Sequence, residues 1–138
     1  MSDSKNIHAT CVRLNGKGVL LLGESGSGKS DLALRLIDRV ASLVADDQVH
    51  IVKKDKTLVA SAPQKLRGLL EVRGVGIVTL PYEQHATLAL AVKLVLRTEV
   101  ERMPRQEFFE LLDVRIPQLS LSAFDHSTTA KIQLAMKQ

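Results

Sequence analysis

Cysteine, aromatic residues and long apolar runs are scarce in this chain, and each scarcity excludes a class of protein. Cys11 is the single cysteine among 138 residues, so no internal disulfide can form, and no Cys or His spacing matches a zinc finger. No apolar run approaches the roughly 20 residues that span a membrane. Residues 1–5 are polar, and no apolar signal-peptide segment follows them. We therefore expect a cytoplasmic protein that contacts no membrane.

Aromatic residues amount to one Tyr and three Phe, and tryptophan is absent. Proteins that bind single-stranded nucleic acid usually combine aromatic side chains with a basic patch, whereas the Lys and Arg residues here are scattered. Phosphate ligands or an acidic protein partner explain the formal charge of +4 as well, and we expect no nucleic-acid partner. With 45% hydrophobic residues, residues 1–138 are long enough to form one domain with its own core.

The most informative stretch is a glycine-rich segment between the apolar run 20–22 and an amphipathic helical pattern. It matches G-x-x-x-x-G-K-[ST], the phosphate-binding P-loop, in the strand and helix context that the motif requires. Its members are Gly23, Glu24, Ser25, Gly26, Ser27, Gly28, Lys29 and Ser30. Glycines permit the turn whose N–H groups surround a β-phosphate, Lys29 would reach the β- and γ-phosphates, and the Ser30 hydroxyl would bind Mg²⁺. A chance match is the alternative, but the flanking pattern favours ATP or GTP with magnesium.

Turn signals and hydrophobic periodicity divide the chain into short elements, with Asn15-Gly16 as the strongest hairpin signal. The predicted strands cover residues 7–14, 18–22, 43–45, 49–52, 57–61, 87–96 and 116–121. The predicted helices cover 29–42, 104–113 and a C-terminal segment capped by Ser127. These elements predict an α/β fold: a P-loop domain with a mixed, largely antiparallel sheet and flanking helices.

Two adjacent acids, Asp46 and Asp47, end the predicted strand 43–45. In P-loop proteins an acid at the end of a neighbouring strand commonly holds magnesium, and a second carboxylate could accept a proton. An ordinary Asp-Asp turn is the structural alternative. His8 can lie near the loop if its strand is adjacent, although a lone His more often has a surface role.

A second charged segment lies among closely spaced glycines in an aliphatic stretch. It consists of Glu71, Val72, Arg73, Gly74, Val75 and Gly76. Glycines permit close backbone approach, and the opposite charges of Glu71 and Arg73 could serve a metal ion and a phosphate. A structural ion pair at a β-bulge explains the pattern equally well.

Together these segments resemble the catalytic domain of the HPr kinase/phosphorylase family, bacterial P-loop enzymes that phosphorylate a serine of the phosphocarrier protein HPr. The resemblance rests on His8, the loop 23–30, the segment 43–47 and the segment 69–77, which is close to the family signature. It covers residues 6–80 well and the remainder weakly. It implies ATP as substrate, Mg²⁺ as cofactor, HPr as partner, regulation of the phosphotransferase system, and assembly as a hexamer.

The resemblance also implies roles for individual residues. Lys29 would be catalytic, and Ser30 and Glu71 would bind Mg²⁺, with Asp47 supporting the metal site. Asp46 would take the proton from the attacking serine hydroxyl.

Two further catalytic residues are implied: His8 would be the family's catalytic histidine, and Arg102 falls near its catalytic arginine.

The family's dephosphorylation loop, rich in Arg, Pro and Gly, should follow strand 116–121, where this chain has a different segment at 122–127. We therefore expect kinase rather than phosphorylase activity. Longer family members carry an additional N-terminal domain, and we expect this chain to begin essentially at the catalytic domain. A P-loop small-molecule kinase and a nucleotide-sensing module without catalysis remain the alternatives, and the paired acids argue against the sensor.

Overall fold

The structure is a computed structural model that describes residues 3–137, so the expected domain 1–138 extends slightly beyond the described residues. Eleven β-strands and two α-helices lie within that range. The strands are β1 (Ser4–Ile7), β2 (Thr10–Leu14), β3 (Lys17–Leu22), β4 (Ser42–Ala45), β5 (Val49–Lys54), β6 (Thr57–Ser61), β7 (Leu69–Val72), β8 (Gly76–Thr79), β9 (Ala86–Leu94), β10 (Glu107–Leu111) and β11 (Val114–Leu121). The helices are α1 (Lys29–Arg39) and α2 (Thr128–Met136), and 3₁₀ turns cover Gln64–Leu66 and Arg97–Glu99.

Nine strands form one sheet in the order β1-β5-β6-β9-β3-β2-β4, with β11 paired to β9 and β10 paired to β11. Strands β7 and β8 form a separate hairpin. Seven of the nine strand pairings in residues 3–137 are antiparallel, whereas β3 and β11 run parallel to β9. The expected α/β fold with a mixed, largely antiparallel sheet is confirmed.

Strand β9 is the centre of the sheet because three strands pair with it. β3 lies along one side, while on the other side β6 pairs with the first residues of β9 and β11 with the last four. The sheet divides at this point and curls, and alternate side chains of its central strands enter two buried clusters. The cluster beneath the helices includes Val12, Leu21, Leu32, Leu36, Val92 and Ile132. The cluster on the opposite face includes Cys11, Leu20, Ile51, Leu58, Ala91 and Ile116.

The first hairpin forms as the turn chemistry predicts. Asn15 and Gly16 join β2 to β3 and adopt φ of 53° and 78°, the left-handed region that a two-residue type I′ turn requires. The second expected hairpin is also present, as β5 and β6. The long central strand is confirmed as β9.

Helix α1 begins at Lys29 as expected and ends at Arg39, three residues before the predicted end. The N–H groups of Val40 and Ala41 both donate to Leu36 O at 2.9 Å, which closes the helix. Ser42 instead joins β4 and pairs with β2, so sheet pairing shortens the helix.

Helix α2 is present as expected, but the predicted cap is wrong. Ser127 occupies the N-cap position without a capping hydrogen bond from its side chain, and Thr128 Oγ1 instead donates to the Ser122 carbonyl. No helix in residues 3–137 combines the length and the apolarity needed to cross a membrane.

The expected helix over 104–113 is wrong, because this segment forms β10 and pairs antiparallel with β11. The spacing of Phe108, Leu111 and Leu112 fits one face of a helix. In the structure Phe109 and Leu111 pack against a core cluster while Phe108 is exposed, which is the alternation of a strand. The two residues after β10 turn the chain with φ of 51° and 64° and include no glycine, so no turn signal marked the hairpin.

Candidate functional site

Strand directions bring most of the predicted site residues to one edge of the sheet. β3, β9 and β11 are mutually parallel, and β4 shares their direction because both β3 and β4 are antiparallel to β2. The carboxyl ends of these four strands therefore meet at one edge, together with the amino end of β2. Ligands of open α/β sheets commonly bind in the crevice outside this edge.

The glycine-rich loop connects the carboxyl end of β3 to the first turn of α1. Gly28 directly precedes α1 with φ of 100°, a conformation that disfavours any residue with a Cβ atom. A Cβ added there would lie 2.8 Å from Ala123 Cβ and 2.8 Å from Phe124 Cζ. The loop therefore requires glycine at this position both for its backbone and for its close neighbours.

The first half of the loop is equally compact. The N–H of Ser27 donates to Glu24 O at 3.0 Å, and Gly26 adopts φ of 83°. A Cβ added to Gly23 would lie 2.5 Å from Ser27 Oγ, and that hydroxyl is buried without a hydrogen-bond partner among the described residues. Ser25, in contrast, is exposed in the cleft.

Lys29 is the buried cation of the loop. Its Nζ donates to the carbonyl oxygens of Gly23 and Glu24 at 2.7 and 2.9 Å, which holds the ammonium group at the mouth of the loop. Burial lowers the pKa of Lys29, and the carboxylates of Asp46 and Asp47 oppose that shift. The nearby acids thus favour the charged form that phosphate binding needs.

Asp46 is the buried acid of the site, with 6% of its surface exposed. Its Oδ1 accepts hydrogen bonds from Thr10 Oγ1 at 2.9 Å and from Ser30 Oγ at 2.8 Å. Its Oδ2 accepts a longer bond from the Glu71 backbone N–H at 3.3 Å. One carboxylate therefore ties together β2, the start of α1 and β7.

Asp47 has the opposite environment, because its side chain is 67% exposed. Its backbone adopts φ of 70°, which turns the chain at the end of β4. The His8 ring Nδ1, at the amino end of β2, lies 3.4 Å from Asp47 Oδ1. The two adjacent acids therefore differ: Asp46 is buried and held by hydrogen bonds, whereas Asp47 is exposed and in ion-pair contact with His8.

The charged segment with its two glycines is the β7–β8 hairpin. Its turn is closed by the Val75 N–H, which donates to Val72 O at 2.9 Å, and Gly74 adopts φ of 89°. Glu71 and Arg73 line the cleft, and no ion pair joins them within residues 3–137. The segment is therefore a hairpin beside the loop rather than a bulge held by an ion pair.

These groups enclose a cleft of about 510 Å³. The predicted site residues that line it are His8, Ser25, Gly26, Gly28, Lys29, Ser30, Asp46, Asp47, Glu71, Val72 and Arg73. Gly23, Glu24 and Ser27 belong to the loop but do not line the cleft, and Val75 and Gly76 lie exposed at the hairpin. Arg102 lies apart from these residues, exposed in the connection between β9 and β10, and is not part of the cleft wall.

Several residues that line the cleft were not predicted as site residues, and Thr10 and Phe124 are the two that bear most on its chemistry. Thr10 is fully buried and donates to Asp46, and its only sequence signal is a polar residue at the start of an apolar strand. Phe124 lines the cleft from the segment after β11. That segment was noted in the sequence only for its departure from a family pattern.

The oxygen atoms in the cleft suit a hard divalent cation. Among residues 3–137 there is no group of three or more His, Cys, Asp or Glu side chains arranged to hold a metal ion. Mg²⁺ does not need one, because it usually binds one or two carboxylates and takes its other ligands from substrate phosphates and water. The hydroxyl of Ser30 with the carboxylates of Asp46 and Glu71 therefore fits Mg²⁺.

Comparison with known proteins gives one consistent family. A sequence profile described as the HPr Serine kinase C-terminal domain matches residues 1–135. The chain is 40% identical over 124 residues to the HPr kinase/phosphorylase of Caldicellulosiruptor bescii, covering 81% of this chain and 40% of that protein. It is 38% identical over 133 residues to the HPr kinase/phosphorylase of Geobacillus kaustophilus, covering 88% of this chain and 43% of that protein. The chain thus spans less than half the length of these relatives.

A solved structure shares the fold. The Hpr(Ser) kinase/phosphatase of Coxiella burnetii superposes with a TM-score of 0.85 at 24% identity, covering 96% of this chain and 88% of that one. The curled sheet, the loop and the two helices therefore form an arrangement that occurs in a solved protein.

Proposed function

This chain belongs to the HPr serine kinase C-terminal domain family, and we propose that it is an ATP- and Mg²⁺-dependent kinase that phosphorylates a serine of the phosphocarrier protein HPr. The observation that best supports this proposal is the hydrogen bond of 2.8 Å that Ser30 Oγ donates to Asp46 Oδ1. In P-loop enzymes the serine or threonine after the loop lysine and an acid from a neighbouring strand together hold the magnesium of the nucleotide. Residues from two separate elements meet here in that relation.

The phosphate loop supplies most of the binding. Lys29 lies at the mouth of the loop, where its ammonium can exchange two carbonyl partners for phosphate oxygens. The amino end of α1 adds the positive end of a helix dipole. Ser30, Asp46 and Glu71 would hold Mg²⁺, which when bound neutralises charge on the β- and γ-phosphates.

The contacts favour Asp47, rather than Asp46, as the base. The sequence resemblance implies Asp46 for that role, but its carboxylate is buried and accepts three hydrogen bonds, one of them from the proposed Mg²⁺ ligand Ser30. Asp47 is exposed in the cleft, where an incoming hydroxyl can reach it. We propose that Asp47 accepts the proton of the HPr serine hydroxyl. The serine oxygen then attacks the γ-phosphorus, and the bond between the γ-phosphorus and the bridging oxygen of the β-phosphate breaks, which leaves ADP.

His8 is positioned to assist that base. Its ring lies 3.4 Å from Asp47 Oδ1 and can orient the carboxylate or share its proton after transfer. Arg102 remains a proposed catalytic residue, acting from a connection that would have to approach the cleft when HPr is bound. The segment 122–127 stands where the family's dephosphorylation loop would be expected, and it places Phe124 against the phosphate loop instead. We therefore propose kinase rather than phosphorylase activity.

The wider setting is proposed from the family. One catalytic domain would act on HPr within the phosphotransferase system, as a homo-oligomer that the family suggests is a hexamer. We place the reaction in the cytoplasm, where ATP is available.

The proposal is tested by transfer of labelled γ-phosphate from Mg·ATP to purified HPr. Lys29→Ala should remove both ATP binding and labelling, because the ammonium stabilises substrate and transition state alike. Lys17→Ala, which changes an exposed lysine at the opposite edge of the sheet, is the matched control and should label normally. Tight ATP binding without label on HPr would favour a nucleotide sensor, and label on a small molecule would favour a small-molecule kinase.

A further inference from the structure

The phosphate loop has two different neighbours along the sheet edge. On one side, β2 and β4 contribute His8, Thr10, Asp46 and Asp47. On the other side, β9 and β11 end at the same edge, and the segments that follow them carry Arg97 and the run 122–127. The paired acids Asp46 and Asp47 therefore lie on one side of the loop, and the opposite side has the aromatic residue Phe124 and an Asp125 carboxylate that pairs with Arg97.

Phe124 is that aromatic residue, and it lies directly against the loop. Its Cζ is 2.8 Å from where a Cβ on Gly28 would be, although 69% of its surface is exposed. It lines the phosphate cleft and also a second cleft of about 520 Å³, whose wall includes Arg97, His126 and Lys131. The ring therefore stands between the two clefts.

The backbone on both sides of this ring is fixed. The carbonyl of Ala123 accepts a hydrogen bond from the Arg35 guanidinium of α1, and the carbonyl of Ser122 accepts one from Thr128 Oγ1. Asp125 Oδ1 lies 3.1 Å from Arg97 Nε. An exposed apolar ring on an anchored segment costs solvation free energy in the free protein, and a flat ligand that covers it recovers that cost.

We infer that the second cleft is the nucleoside subsite and that Phe124 stacks on the purine ring of ATP, an inference that rests on the proposed function. If the γ-phosphate lies beside the acids, the nucleoside must leave the loop in the opposite direction, and that direction leads past Phe124. Stacking on an aromatic ring discriminates little between purines, because every base has a π-face. Phe124 is therefore a nucleoside-binding residue that makes ATP a better ligand than its phosphates alone.

Tripolyphosphate separates the two parts of the ligand, because it carries the phosphate chain of ATP without the nucleoside. Phe124→Ala should weaken Mg·ATP binding about tenfold and leave the affinity for Mg·tripolyphosphate unchanged. Phe108→Ala replaces another exposed phenylalanine, which lines neither cleft, and should leave both affinities unchanged. Thermal unfolding of each variant confirms that it is folded before its affinities are compared.

A spectroscopic readout is available because the chain has no tryptophan. Phe124→Trp would introduce a single indole, and its fluorescence should be quenched by Mg·ATP but not by Mg·tripolyphosphate. Equal responses to both ligands, no response to ATP, or equal loss of both affinities in Phe124→Ala would overturn the inference.

The outcomes also separate this inference from the proposed function. A native protein that binds ATP and tripolyphosphate equally tightly would refute only the nucleoside subsite. A native protein that binds neither, or binding that Lys29→Ala does not weaken, would refute the phosphate loop and the kinase proposal as well.

Discussion

Replacing Asp46 or Asp47 by asparagine should impair two different properties of the protein. Asp46→Asn should destabilise the protein and weaken Mg·ATP binding, because the buried carboxylate joins three elements through Thr10, Ser30 and the Glu71 N–H. Asp47→Asn should leave stability and ATP affinity nearly unchanged and abolish phosphoryl transfer. The contrast tests whether the proton acceptor is the exposed acid or the buried one.

The size of the stability effect follows from these contacts. A hydrogen bond to a charged acceptor contributes about 1.5–3 kcal/mol and a neutral one about 0.5–1.5 kcal/mol. The amide of Asp46→Asn weakens the two hydroxyl bonds and opposes its own N–H group to the Glu71 N–H, although it no longer buries a charge. We expect the free energy of unfolding to fall by about 2 kcal/mol, which lowers Tm by about 7 °C in a chain of this size.

Asp47→Asn should change the free energy of unfolding by no more than about 0.5 kcal/mol, because the side chain is exposed. Its φ of 70° is also a conformation that asparagine adopts readily. Loss of a general base lowers the rate by roughly 10²- to 10⁴-fold.

Three measurements on the same two variants decide the question: Tm by circular dichroism, Kd for Mg·ATP, and transfer of labelled phosphate to HPr. The expected result is that only Asp46→Asn loses stability and affinity, while Asp47→Asn loses only transfer. If Asp46→Asn kept native Tm and affinity but lost transfer, and Asp47→Asn still transferred phosphate, then Asp46 would be the base and our reading of the contacts would be wrong.

The remaining predictions concern the loop, the core thiol and the hydroxyl on Asp46. Gly28→Ala should lower Tm and abolish ATP binding, because the added Cβ is strained and meets close neighbours. Gly26→Ala has nothing within 4 Å of the added Cβ and should lose only about 1 kcal/mol of stability. Equal Tm losses in the two variants would contradict this prediction. Burial raises the pKa of the Cys11 thiol from 9.0 to about 12, so the unfolded chain ionises first and stability should fall by at most about 1.4 kcal/mol per pH unit between pH 9 and 12. Urea unfolding against pH should show a flatter curve for Cys11→Ala, and parallel curves would refute a role for the thiol. Thr10→Val should reduce the free energy of unfolding by about 1–2 kcal/mol. The reduction should be smaller in the Asp46→Asn background, because Thr10 and Asp46 share a hydrogen bond. If the effects of the two substitutions were fully additive, that hydrogen bond would not contribute to stability.

Local sequence chemistry predicted the features that depend on a few adjacent residues. The Asn15-Gly16 turn needs positive φ at both positions, which these two residue types adopt easily, so the hairpin could be read directly. The loop 23–30 is similar, because its glycines, lysine and serine act within one continuous segment. The predicted helix over 104–113 was wrong because the spacing of Phe108 and Leu111 fits one face of a helix, whereas pairing with β11 forms a strand that packs Phe109 and Leu111 against the core instead.

The sequence alone was enough to predict a phosphate loop between a strand and a helix, two acids at the end of a neighbouring strand, and a segment close to the family signature. The different environments of the two acids depend on tertiary contacts, because the burial and hydrogen bonding of Asp46 involve Thr10 and Glu71, which lie 36 and 25 residues away from it. Tertiary structure also places Phe124 close to Gly28, which is distant from it in sequence, because β3, β9 and β11 run parallel and end at one edge. The local sequence indicates which chemical groups are available, whereas neighbours contributed by distant strands determine which carboxylate is buried and hydrogen-bonded and which is exposed to a substrate.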